Sequence, residues 1–165
     1  MKKIFLLCVL VVASLSLAKA QVQAPISMSW KDVATWKSMP NPGFKLSPDG
    51  QWMAYVLTGI EADGELILQK VADPSSKKSF QIGNTSFASF EFSDNSQWLA
   101  FKEFPKFSEK QANEKAKGKP LKEKLHLIQL ASGDKKTFEG ISGFNFTGEA
   151  ATHLLLTLPK EGSGD

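Results

Sequence analysis

The sequence predicts an all-β fold made of tandem four-stranded antiparallel sheets, and three observations support this prediction. A turn phrase that runs into an apolar strand, Ser47 to Leu57, occurs again further along the chain. The strands that follow these turns are apolar on both faces, which is typical of strands covered on both sides. A second phrase, an apolar strand followed by a polar hairpin, also recurs in the same order. Such repetition indicates stacked copies of one structural unit.

The N-terminal residues 1–20 are expected to be a signal peptide. Lys2 and Lys3 precede an apolar stretch, and Ala18-Lys19-Ala20 has the form of a cleavage site. Cleavage would remove the single cysteine, Cys8, and three lysines, which takes the formal charge from +3 to about zero. We therefore expect a secreted or periplasmic protein with no nucleic-acid partner and no membrane contact after cleavage. An uncleaved N-terminal anchor is the alternative.

The segment 21–42 is expected to form a short helix before the first repeat unit. Ser29 is placed to cap it, with Asp32 at the third helical position.

Three repeat units are predicted, at 43–82, 83–139 and 140–165. Residues 44–55 match residues 90–101 without a gap, at an offset of 46, and a weaker third copy begins at Phe144. The third unit holds half of the pattern. We therefore expect an incomplete array that belongs to a longer protein.

The first unit predicts four strands. The first ends at the turn Ser47-Pro48-Asp49-Gly50, the second is Trp52 to Leu57, and the third is Leu66 to Val71. The fourth is Ser79 to Ile82, after a polar hairpin at 72–78. Four antiparallel strands in about 40–50 residues describe a β-propeller blade. A β-sandwich is the alternative, but it does not explain the fixed period.

A lysine-rich insertion, residues 106–124, lengthens the second unit. Ser108 to Lys117 is predicted to be a helix that Gly118 and Pro120 stop. The insertion is either a mobile solvated hairpin or a flap over one mouth of the propeller, in contact with another domain or an acidic substrate. In a four-strand meander it lies on the same face as the links between blades.

The two histidines, His126 and His153, are both predicted to lie in strands. His126 stands where the first unit has Ile67, which favours a structural role. The sequence contains no Gly-x-Ser-x-Gly and no cluster of metal-ligand residues. We therefore predict no catalytic residue, no metal ligand and no cofactor in this chain.

The order of these features resembles the N-terminal propeller of bacterial prolyl oligopeptidase-like serine peptidases of the S9 type. The resemblance rests on a Trp-containing entry from Trp30 to Trp36, on Pro42-Gly43, on the Ser47 to Val56 phrase and on the insertion, and it covers residues 28–165. It implies a following α/β-hydrolase domain with a Ser-Asp-His triad, and a propeller that restricts which peptides reach it. This chain contains none of the catalytic part, so it is expected to be inactive alone.

Two other functions are compatible with the sequence. A periplasmic TolB-like propeller would use the same blade phrase as a platform for protein partners, with no hydrolase domain. A short oligomerising binding module, complete as printed, is the third alternative.

Overall fold

The computed structural model describes residues 27–148 and 153–159. A short helix, α1 (Trp30–Ala34), comes before the first sheet. A second helix, α2 (Phe107–Ala116), lies in the connection between two strands of the second sheet. The strands are β1 (Phe44–Leu46), β2 (Trp52–Leu57), β3 (Gly64–Lys70), β4 (Asp73–Gly83), β5 (Phe90–Phe92), β6 (Trp98–Glu103), β7 (Lys124–Gln129), β8 (Lys135–Glu139), β9 (Gly143–Phe146) and β10 (Leu154–Thr157). The predicted signal peptide lies outside the described residues.

The strands form antiparallel sheets that follow chain order. The first sheet has the order β1-β2-β3-β4, the second β5-β6-β7-β8, and β9 pairs with β10 in a third. The register repeats between the first two sheets, because Tyr55 faces Ile67 in one and Phe101 faces His126 in the other. The predicted succession of four-stranded antiparallel units is confirmed for these two sheets. No closed propeller is formed by the described residues.

The repeated turn phrase is held by one buried serine in each copy. The Ser47 hydroxyl donates to the Asp49 carboxylate (2.6 Å) and accepts the backbone N–H of Trp52 (2.9 Å). Ser93 makes the same contacts with Asn95 (2.7 Å) and Trp98 (2.9 Å). These bonds satisfy buried polar groups at the point where the chain reverses. The similarity of the two phrases therefore reflects one turn geometry used twice.

The core explains why the strands are apolar on both faces. The first and second sheets pack face to face through Ala54, Val56, Leu66, Leu68 and Ile82 on one side and Phe90, Phe92, Leu99, Phe101, Ile128 and Leu130 on the other. The opposite face of the second sheet buries Ala100 and Leu125 against the start of the third unit, where Ile141, Phe144, Phe146 and Leu154 lie. Neighbouring residues of β6 therefore point into different cores.

The predicted start of the fourth strand, Ser79, is wrong. β4 begins at Asp73, so most of the segment expected to be a hairpin is strand, and the reversal is confined to Val71 and Ala72. Serines make this possible: the Ser76 hydroxyl accepts the N–H of Lys70 at 2.8 Å, beside an irregularity in the β3–β4 register. The local composition favoured a turn, but the pairing with β3 decides the conformation.

Both predicted helices are present. At α1, the Asp32 carboxylate accepts the backbone N–H of Ser29 at 2.7 Å and its hydroxyl at 2.9 Å, so the predicted pair of residues meets at the start of the helix. The predicted helix of the insertion is confirmed to within a residue at each end, as α2 ends where Lys117 adopts a left-handed conformation, with φ +49°. His126 lies in β7 as predicted, whereas His153 comes immediately before β10 rather than within it.

Candidate functional site

Several open cavities lie at one end of the sheets, which we call the link end. It consists of the β2–β3 connection (58–63), the link between the first two sheets (84–89), the β6–β7 connection (104–123) and the second link (140–142). The antiparallel meander places these four connections together, since alternate connections of a meander lie at the same end. The insertion therefore lies on the face predicted for it.

An apolar groove occupies the side of the link end that is nearest the first sheet. Two adjoining cavities of about 400 and 390 Å³ share Gly59, Ile60 and Ser86. Trp36 contributes to the first cavity and Phe87 to the second, and the side chains of Trp36, Ile60 and Phe87 are 57%, 78% and 54% exposed. Exposed side chains of this size beside open cavities are typical of binding surfaces.

The groove has a defined floor because the link is held against the β2–β3 and the β6–β7 connections. The side-chain amide of Asn84 donates to the carbonyls of Ile60 (3.1 Å) and Ala62 (3.0 Å) in the β2–β3 connection. The buried Thr85 hydroxyl accepts the N–H of Phe87 at 3.2 Å, and the Phe87 ring meets that of Phe104 edge-on at 5.2 Å. These contacts fix the aromatic side chain at the groove's edge.

Helix α2 is anchored to this floor at its N-terminal end. The backbone N–H of Phe107 donates to the Asp63 carboxylate at 2.7 Å, and the ammonium of Lys110 donates to the backbone carbonyl of Asn84. No side chain of α2 is buried. The helix is therefore attached through polar contacts and leaves its remaining surface to solvent.

The insertion makes the second-sheet side of the link end cationic. Residues 106–124 contain seven lysines and three glutamates, a formal surplus of four positive charges. Glu123 pairs with Lys102, and Lys124 pairs with Glu139 at 3.8 Å. Five lysines of the insertion are exposed and form no ion pair within the described part of the chain: Lys106, Lys115, Lys117, Lys119 and Lys122.

A third cavity, of about 450 Å³, lies between the insertion and the third unit. Leu121, Ile141 and Pro159 give it apolar walls. The Lys102 ammonium in its lining donates to the Ser142 carbonyl at 2.9 Å and pairs with Glu123. Its charge is therefore already compensated.

His126 has two polar partners within the second sheet. Its Nε2 lies 2.5 Å from the Glu103 carboxylate and its Nδ1 lies 2.9 Å from the Thr137 hydroxyl. Burial lowers the pKa of His126, and nearby Lys135 and Lys124 act in the same direction, while the hydrogen bond to Glu103 opposes them. A neutral imidazole that is protonated on Nε2 donates to Glu103 and accepts the Thr137 hydroxyl, which satisfies both contacts.

The residues of this cluster follow the order hydroxyl, imidazole, carboxylate that is seen in hydrolytic triads. The imidazole, however, is only 4% exposed and sits between paired strands. The expectation that it is a structural substitution for Ile67 therefore stays our interpretation. Sequence reasoning missed its partner Glu103, although the offset of 46 residues aligns this acid with Leu57 of the first sheet.

Other functional groups are sparse. Among residues 27–148 and 153–159, no three His, Cys, Asp or Glu side chains come together in a group that could hold a metal ion. Neither helix in these ranges has the length and apolar composition needed to cross a membrane.

Comparison with known proteins gives similarity at the level of structure. No protein-family model matches the chain, and no curated protein matches it either. The acylaminoacyl peptidase of Pyrococcus horikoshii has a TM-score of 0.51 and 19% sequence identity over 79% of this chain. The β-propeller domain of the Trilobed protease from Pyrococcus furiosus has a TM-score of 0.48 and 16% identity over 74% of this chain. Kuenenia stuttgartiensis hydrazine synthase reaches 0.40, with 10% identity over 68%.

The similarity to the acylaminoacyl peptidase, an S9-type enzyme, confirms the predicted resemblance to an S9-peptidase-like propeller at the level of fold. This chain covers 19% of the acylaminoacyl peptidase, 34% of the Trilobed protease chain and 35% of the hydrazine synthase chain. The described residues therefore have the fold of propeller blades, two of them four-stranded, and this chain spans about a fifth of the length of the acylaminoacyl peptidase.

Proposed function

We propose that this chain is the N-terminal propeller segment of a secreted or periplasmic, prolyl oligopeptidase-like serine peptidase. It gates and scaffolds the access of peptides to an α/β-hydrolase domain elsewhere in a longer protein. The fold of the two four-stranded sheets and the small share of the acylaminoacyl peptidase that they cover support this proposal. The catalytic serine, aspartate and histidine belong to the hydrolase domain, and no residue of this chain is assigned to the chemistry.

The observation that carries the gating role is the position of α2. The helix stands beside the apolar groove and is attached to the β2–β3 connection through Asp63 and to the link between the first two sheets through Asn84. A polar, solvent-exposed helix attached at one end can limit what enters a groove without being part of the core. A gate of this kind selects extended peptides over folded proteins.

The first experiment is to read the coding DNA past the codon for Asp165. An open frame that continues through further blades to a Gly-x-Ser-x-Gly, followed by Asp and His, is the expected result. A frame with further blades and no hydrolase would contradict the peptidase function. Sequencing the N-terminus of the exported protein tests the signal peptide, with Gln21 as the expected first residue.

The gate is tested by deleting Gln111–Lys119 in the complete protein. This deletion leaves Phe107 and Lys110, which make the anchoring contacts, in place. We expect altered kcat/KM for long peptides relative to short ones, because the barrier at the groove is shortened. Unchanged kinetics for both lengths would dispose of the gating role.

A TolB-like binding propeller is the second candidate function. The exposed side chains of Trp36, Ile60 and Phe87 favour it, since an apolar groove can serve a protein partner without any hydrolase domain. The coding DNA distinguishes the two functions.

A further inference from the structure

We propose that the link end binds acidic peptides that also carry an apolar side chain. The groove lined by Trp36, Ile60 and Phe87 takes the apolar side chain, and the exposed lysines of the insertion attract the acidic residues. This inference rests on the proposed peptide-gating function for its biological role and names the class of peptide that is admitted.

The apolar half of the site is pre-formed. Ile60 is 78% exposed although its backbone carbonyl is fixed by Asn84, and Phe87 is 54% exposed although its ring packs on Phe104. The Phe87 ring, which Phe104 holds in place, loses little conformational freedom when a ligand covers it. Together with Ile60 it provides an anchor point for one apolar side chain of the ligand.

The cationic half adjoins this groove at Lys110, which lines the second cavity together with Glu123, an acid that is paired with Lys102. Lys110 is itself engaged by the Asn84 carbonyl, so the free positive charge lies further along the insertion, at the five exposed lysines without ion pairs named above. Solvent-exposed lysines have flexible side chains, and they attract carboxylates over a Debye length, which is about 8–10 Å. Charge complementarity therefore selects an acidic ligand.

The charge distribution favours a peptide over a nucleic acid. On the first-sheet side, the connection that carries Ile60 also contains Asp63 and the exposed Glu61, and Glu65 is paired with Lys37 at 3.3 Å. A polyphosphate chain would carry negative charge along its whole length and would meet these acids. A peptide can place an apolar residue on this side and its carboxylates on the other.

Binding is measured on the full chain with a fluorescein-labelled peptide that has one central phenylalanine flanked by glutamates. The matched ligand has glutamine at every glutamate. We expect fluorescence anisotropy to show binding of the glutamate peptide that weakens as sodium chloride is added, and about tenfold weaker binding of the glutamine peptide.

Two variants with matched controls locate the site. The charge variant changes Lys115, Lys117, Lys119 and Lys122 to Gln, and its control changes Lys77, Lys78, Lys135 and Lys136 to Gln, which are exposed lysines on the edge strands. The apolar variant is Ile60→Ser, and its control is Val71→Ser, an exposed residue (49%) at the opposite end of the first sheet. Each site variant is expected to weaken binding about tenfold, and neither control to change it more than about twofold.

Circular dichroism first verifies that all four variants are folded. Equal weakening by the site and control lysine variants would show a response to net charge alone and would overturn the proposal, as would equal binding of the two peptides. Since the assay needs no hydrolase domain, its failure is distinct from a failure of the peptidase function, which the coding DNA decides.

Discussion

His126 occupies the place that Ile67 holds in the first sheet, and this one difference changes the polar content of the second sheet. Its imidazole contacts Glu103 and Thr137, whose counterparts in the first sheet are Leu57 and Ser79. The hydrogen bonds satisfy a buried ring that would otherwise be costly to place between strands. The two sheets therefore share a backbone register while differing in one internal cluster.

The lowered pKa of His126 predicts that the protein loses stability in weak acid. The unfolded chain takes up a proton near the ordinary histidine pKa of 6.5, whereas the folded chain resists it until a lower pH, chiefly because the ring is buried. The contribution of the neutral His126 to the free energy of unfolding is fully present above about pH 6.5. It is lost as the pH falls from there through the folded-state pKa of His126. We expect the free energy of unfolding, from urea titrations, to fall between about pH 7.5 and 5.5.

The double variant Glu103→Leu/His126→Ile provides the comparison, since it copies the first sheet's residues at both positions. Its free energy of unfolding is expected to vary less over the same pH range, because the titrating imidazole is gone. An equally steep decline in the variant would mean that other groups cause the acid sensitivity.

At the scale of the elements, the junction between the first two sheets depends on a close approach at Gly83. This glycine ends β4 with φ +65°, and a side-chain carbon there would lie 1.9 Å from the carbonyl oxygen of Phe104. Backbone bonds run across the junction, from the N–H of Phe104 to Ile82 (2.9 Å) and from the N–H of Asn84 to Pro105 (3.0 Å). Asn84, which forms part of the groove floor, therefore also takes part in the junction between the two sheets.

Gly83→Ala is therefore expected to destabilise the protein by more than about 3 kcal/mol, since it combines an unfavourable φ with a backbone clash. Gly50→Ala is the control: Gly50 has a similar φ of +69° but no atom within 4 Å of the added carbon. This control is expected to cost about 1–2 kcal/mol. Urea unfolding of both variants measures the difference, and equal losses would rule out the clash.

At the scale of the whole molecule, the buried core and the proposed binding surface lie in different parts of the structure. The core lies between the sheets, where Phe101 packs on Phe80 at 5.4 Å between ring centroids. The exposed groove and the lysines lie at the link end, in connections that contribute little to that core. We therefore expect changes in the insertion to alter the proposed peptide binding while leaving the blades intact.

Limited digestion with trypsin tests this separation. Lys117 and Lys122 are exposed and lie outside the helices and strands, whereas lysines within strands have hydrogen-bonded backbones. We expect cleavage within 115–122 before cleavage at any lysine of the four-stranded sheets, as identified by mass spectrometry of timed samples. Early cleavage after Lys77 or Lys78 would show instead that the edge of the first sheet opens more readily.

Much of the fold could be predicted because turn phrases and apolar runs define the strands locally. The strand Trp52–Leu57 was predicted with the observed bounds, since a turn phrase defines its start and its apolar run its length. The start of β4 could not be predicted: the polar residues that follow Asp73 have turn composition, and pairing with β3 overrides it.

The candidate site was predictable only in part. The cationic character of the insertion and its placement beside the links follow from composition and from the meander order. The groove does not, because Trp36, Ile60 and Phe87 come from three separate connections with no shared motif.

The sequence by itself determined the repeat, the strand order and the stacking of one sheet on the next, because periodicity and turn chemistry act over a few residues. The tertiary structure alone decided the contacts of His126 with Glu103, of Lys110 with Asn84 and of Phe107 with Asp63. These partners are 23, 26 and 44 residues apart in the chain. They meet because packing the sheets fixes the positions of their connecting segments, and no local pattern records which side chains then become neighbours.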